Sequence, residues 1–138
     1  MMLVGVECFP LEIEFMDDFT KKDMEEALQA IASMIDRSEK SQKKFAQGTS
    51  QHTLLKNRIK ALNIVSSLIT KKLAESDVAD NFPEEDLQKA LAPIASLISK
   101  SEKAQQKLTQ GTWQHTMLDD NLKALHIALP LLTEAYTD

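Results

Sequence analysis

At 138 residues the chain is sized for one domain with a real core, and its few glycines and prolines among abundant Leu, Ala, Lys, Glu and Gln favour helices over strands. A formal charge of −5 argues against generic wrapping of nucleic acid, although a mean conceals how charge is distributed. The one cysteine, Cys8, excludes an internal disulfide and predicts a reducing, cytoplasmic setting. No apolar run approaches the roughly 20 residues that span a bilayer, and the start MMLVGVECF has neither a basic leader nor a small-residue cleavage site, so neither a membrane partner nor export is expected.

Residues 1–18 form the first segment. Leu11, Ile13 and Phe15 alternate with Glu12 and Glu14, which is strand periodicity, and Pro10 limits how far a paired strand can extend backwards. A lone strand cannot satisfy its own backbone. The reading is a short extended arm that lies on the rest of the molecule or pairs with the same segment of another subunit.

From residue 19 the chain repeats itself. Residues 19–70 lie over residues 82–133 at a constant offset of 63, centred on SEKSQKKFAQGTSQHTLL at 38–55 and SEKAQQKLTQGTWQHTML at 101–118. In the first copy Thr20 is a helix N-cap with Asp23 three residues on, close to a capping box. A heptad-like stripe follows through Met24, Leu28, Ile31, Ile35, Ser38, Gln42 and Phe45. Gly48 punctuates the chain and Thr49 caps a second helix with the stripe His52, Leu55, Ile59, Leu62, Ser66, Ile69 and Leu73. The two stripes mirror each other about the turn: Phe45 faces His52, Gln42 faces Leu55, and so on down to Met24 and Leu73. The second copy obeys the same rule, from Leu108 with His115 to Leu87 with Tyr136. A short turn makes neighbouring helices antiparallel, so each copy is an αα-hairpin.

The expected fold is therefore all-α: an up-down-up-down four-helix bundle of two tandem hairpins, repeat 1 over 19–75 and repeat 2 over 84–138, joined by a polar linker at 76–83. Both QGT turns fall at one end. The rival arrangement opens each hairpin to pair with a second subunit. Pro93 and Pro130 fall inside helices of repeat 2, where repeat 1 has Ala30 and Ser67, and predict local kinks there.

The loop end of the core is unusually polar. Gln42, His52, Gln105 and His115 form a candidate tip cluster, which reads either as a small-ligand or metal site or as turn chemistry. Zinc needs four ligands, tightly spaced within each half. Here two histidines stand 63 residues apart and no carboxylate or cysteine accompanies them in both copies, so the structural role is favoured: capping free N–H groups and fixing helix register. No nucleophile–base pair, phosphate loop or di-iron Glu-x-x-His pattern stands out, so no enzyme activity, metal or cofactor is expected. His126 reads as a surface histidine.

Charge is uneven. Residues 36–60 hold seven basic side chains against two acidic ones, and residues 99–123 hold four against three, so the loop half is basic and the rest strongly acidic. Lys43, Lys44, Lys56, Arg58 and Lys107 are candidate contacts for an anion or an acidic partner, helped by two helix N-termini at that end. Trp113 replaces Ser50 at the tip of the second turn and is a candidate partner contact. The leading expectation is a non-catalytic helical module that binds a protein partner or itself. The alternative is a nucleic-acid-associated regulator using the basic loop end.

Overall fold

The structure, a computed structural model, describes residues 20–74 and 82–137. The arm expected over 1–18 and residues 76–81 of the expected linker lie outside the described residues. Four helices follow in order: α1 (Lys21–Gln42), α2 (Ser50–Ala74), α3 (Glu84–Gln106) and α4 (Trp113–Thr137). They form the expected four-helix bundle. The α1 helix packs on α2 and α4, α3 packs on α4 and α2, and α2 meets α4 across the diagonal. None of the described helices is long and apolar enough to cross a membrane.

Local chemistry sets the helix ends. Thr20 Oγ1 accepts the Asp23 N–H at 3.0 Å while the Thr20 N–H donates to Asp23 Oδ2 at 3.2 Å, a complete capping box. The α3 helix begins after Pro83, whose fixed φ suits a helix entry, and three acidic residues, Glu84, Glu85 and Asp86, fill its first turn. Both α3 and α4 run through their internal prolines, Pro93 and Pro130. Proline has no N–H to donate to the carbonyl one turn back, so each helix forgoes one rung there.

Burial explains how the helices meet. The buried positions of α1 are Ala27, Ile31, Met34 and Ser38. Their counterparts one repeat on are Ala90, Ile94, Leu97 and Ser101, all buried except the half-buried Leu97. On α2, Ala61, Leu62, Ile64, Val65 and Ile69 are buried, and so are their counterparts on α4, Ala124, Leu125, Ile127, Ala128 and Leu132. The expected seam residues Met24, Leu28, Ile35, Leu91 and Ile98 are half-buried at the edge of this core. The α2 and α4 stripes are wider than the expected seam because each helix faces two neighbours and a diagonal one. Alanine at 61, 124 and 128 permits the close approach. Each fully buried Ile or Leu contributes about 1.5–3 kcal/mol relative to exposure.

Two ion pairs staple the hairpins together: Lys123 Nζ on α4 to Asp23 Oδ1 on α1 at 3.3 Å, and Lys60 Nζ on α2 to Asp86 Oδ1 on α3 at 3.1 Å. Each is the other shifted by one repeat in both partners, so the packing of hairpin on hairpin is reciprocal in the manner of a two-fold interface.

Candidate functional site

The turns are built alike. In the first, Thr49 Oγ1 donates to the Ala46 carbonyl at 2.8 Å and accepts the His52 N–H at 3.2 Å. In the second, Thr112 Oγ1 donates to Thr109 at 2.8 Å and accepts the His115 N–H at 3.3 Å. The hydroxyl thus closes the turn and caps the helix at once. The backbone bonds Thr49 N–H to Ala46 and Thr112 N–H to Thr109 complete tight turns whose third residues, Gly48 and Gly111, have φ of 89° and 91°. Only glycine enters this region without strain.

The polar tip residues hold each hairpin shut. Gln42 Nε2 donates to the His52 carbonyl at 3.5 Å, and Gln105 Nε2 donates to the His115 carbonyl at 3.2 Å. The glutamines therefore reach from the last turn of one helix to the first turn of the next. The expected assignment of free N–H groups to His and Gln is corrected in detail: threonine satisfies those donors, and glutamine binds a carbonyl instead. In repeat 2 the network grows, because Gln105 also donates to the Asp119 carboxylate, and Asp119 Oδ2 lies 3.7 Å from His115 Nδ1. Repeat 1 has Lys56 at the position of Asp119, so His52 has no such neighbour. Among the described residues no three His, Cys, Asp or Glu side chains converge as a metal would require. His126 is exposed.

Phe45 leaves the expected seam, because α1 ends at Gln42 and places it in the turn, 40% exposed. Leu54 is 47% exposed and Trp113 70% exposed. The bond from Arg37 Nη1 near the end of α1 to Met117 Sδ near the start of α4 brings both turns to one end. Phe45, Leu54 and Trp113 therefore share that end. Lys43, Lys44, Lys56 and Lys107 are there too, all exposed and without an ion-pair partner among the described residues. Arg58 differs from this group. It is half-buried, and desolvation pulls its guanidinium below its ordinary pKa, though an arginine remains charged.

A recess that the sequence reading missed lies between α1 and α4. It has a volume of about 380 Å³ and its wall includes Glu26, Ala27, Ala30, Met117, Asp120 and Asn121. Its residues stand 84–101 positions apart in sequence across α1 and α4, so periodicity along one helix cannot reveal it. Neither the family models, the curated proteins nor the solved structures compared with this chain match it.

Proposed function

We propose that the protein is a non-catalytic, cytoplasmic interaction module that docks a protein partner through the loop end of its bundle. The observation that supports this is the placement of Phe45, Leu54 and Trp113, the exposed large apolar side chains among the described residues, at one end of the molecule. Exposed aromatic and aliphatic groups at one end of a molecule are candidates for a contact surface, and Trp is prominent among binding anchors. The turn backbones are braced by Thr caps, Gln bridges and left-handed glycines, which would lower the conformational cost of docking. The surrounding lysines would steer an acidic partner.

Photo-crosslinking in cells tests this. A photoreactive residue at position 113 should give a discrete protein adduct, and the same residue at exposed position 84, at the start of α3 and the opposite end of the bundle, should not. Equal labelling from both positions would remove the tip from this role.

The unpaired exposed Lys43, Lys44, Lys56 and Lys107 favour a second reading, a nucleic-acid-associated regulator bound through its basic end. It requires nucleic-acid binding whose logarithm falls linearly with the logarithm of salt concentration. It also requires that reversing Lys43, Lys44 and Lys56 to glutamate abolish that binding; indifference to the reversal sinks it.

A further inference from the structure

The two faces where hairpin meets hairpin are built from corresponding residues but differ in what fills them. At the α2–α3 face position 58 is arginine, half-buried and with no hydrogen-bond or ion-pair partner among the described residues. At the α1–α4 face the corresponding residue is Asn121, which is shorter by most of a side chain. The recess opens at this second face. The charges invert as well. Around Asn121 stand Asp23, Glu26 and Asp120 with Lys123, three acidic groups and one basic. The corresponding positions around Arg58 are Asp86, Lys89, Asn57 and Lys60, one acidic group and, with Arg58, three basic ones, of which Lys89 is paired with Glu85.

We propose that the α1–α4 recess binds an alkyl guanidinium from outside the chain, set at the position that corresponds to Arg58 across the repeat. Asn121 is only 6% exposed, lines the recess and makes no hydrogen bond among the described residues; its amide still reaches solvent, so an acceptor stands open to a ligand there. Glu26 and Asp120 are exposed carboxylates at the rim, with no ion-pair partner among the described residues. A planar guanidinium takes carboxylates and an amide oxygen together through its fork of donors, which an ammonium point charge does less well. Ala27, Ala30 and Ala124 offer an apolar wall for the alkyl stem, as arginine stems require. Asp23, also in the lining, is already engaged by Thr20 and Lys123. The volume falls at the small end of ligand pockets, suited to one arginine side chain or a small guanidine-bearing molecule. This site lies on the α1–α4 face and stands independently of the docking role given to the tip.

The test is an NMR titration of the isotopically labelled full chain with agmatine and, separately, with a capped Gly-Arg-Gly peptide, using n-butylamine as the ammonium control. Saturable shifts are expected at the amides of Glu26, Ala27, Asn121 and Ala124, at least fivefold tighter for the guanidinium probes than for butylamine. Tighter binding of the peptide identifies a protein arginine as the source; tighter binding of agmatine identifies a small molecule. Asn121→Arg, which copies position 58 and fills the recess, should abolish the shifts. The surface double variant Glu26→Lys with Asp120→Asn, which copies positions 89 and 57, should weaken binding at least tenfold and gives the same answer if the first variant folds poorly. Absence of saturable shifts with both guanidinium probes at tens of millimolar, or shifts unchanged in the double variant, overturns the proposal.

Discussion

Replacing Gly111 by alanine isolates the backbone demand of the turns. Gly111 has φ of 91°, and a Cβ added there meets nothing within 4 Å, so the penalty is conformational and not a clash. Holding an L-residue in the left-handed region costs about 1–2 kcal/mol. Alanine also restricts the unfolded chain, which returns about 0.4–1 kcal/mol. At the middle of both ranges the net loss is about 0.8 kcal/mol. With a urea slope of about 2 kcal/mol per molar, the midpoint should fall by about 0.4 M in equilibrium unfolding followed by circular dichroism. Asparagine tolerates this region better than alanine, so Gly111→Asn should lose less. Gly48, with φ of 89° and equally open space, should behave alike. An alanine variant as stable as the parent, or an asparagine variant weaker than the alanine one, would refute the account of the turns.

Other perturbations read different parts of the fold. Ile31 and Ile94 are fully buried at corresponding positions, so truncating either to alanine should cost about 2–5 kcal/mol by urea unfolding, and a loss below 1 kcal/mol would place them outside the core. Thr112→Ala removes both the turn bond and the helix cap and should cost about 1 kcal/mol, whereas Thr112→Ser should cost much less. The Thr20 N–H, and after it Lys123, hold the Asp23 carboxyl below its ordinary pKa. The unfolded chain therefore binds the proton more readily, and the stabilisation is present above the unfolded pKa and lost as pH falls through the folded one. Asp23→Asn should be less stable than the parent at neutral pH, with the gap closing in acid; a gap independent of pH would assign the effect to something other than the charge.

The hairpins were legible because their signals are local. Thr20 with Asp23, Gly48 before Thr49, and the three-four spacing of Leu28, Ile31 and Ile35 each act within a few residues, and the repeat states each of the turn signals twice. The full width of the core was not legible. Ala27, Ala61, Ala90 and Ala124 fall off the hairpin seam, and alanine gives little hydrophobic signal, yet all four are buried where hairpin meets hairpin. Phe45 was misplaced because the stripe continued past Gln42, where the turn bonds Lys44 N–H to Ser41 and Phe45 N–H to Gln42 tighten the chain out of the helix. The recess had one sequence trace, the exchange of Arg58 for Asn121 between two otherwise matching copies. Reading it required knowing that position 121 is buried and that α1 lies against it.

The docking role of the loop end is tested most directly by recovering partners of the native protein with and without nuclease, comparing the parent with Trp113→Ser. That substitution copies Ser50 of the first turn and touches an exposed side chain, so folding should be unchanged. The account predicts a discrete protein that survives nuclease and is lost, by at least tenfold, from the Trp113→Ser sample. Recovery that depends on nucleic acid, or a partner retained undiminished by Trp113→Ser, would contradict it.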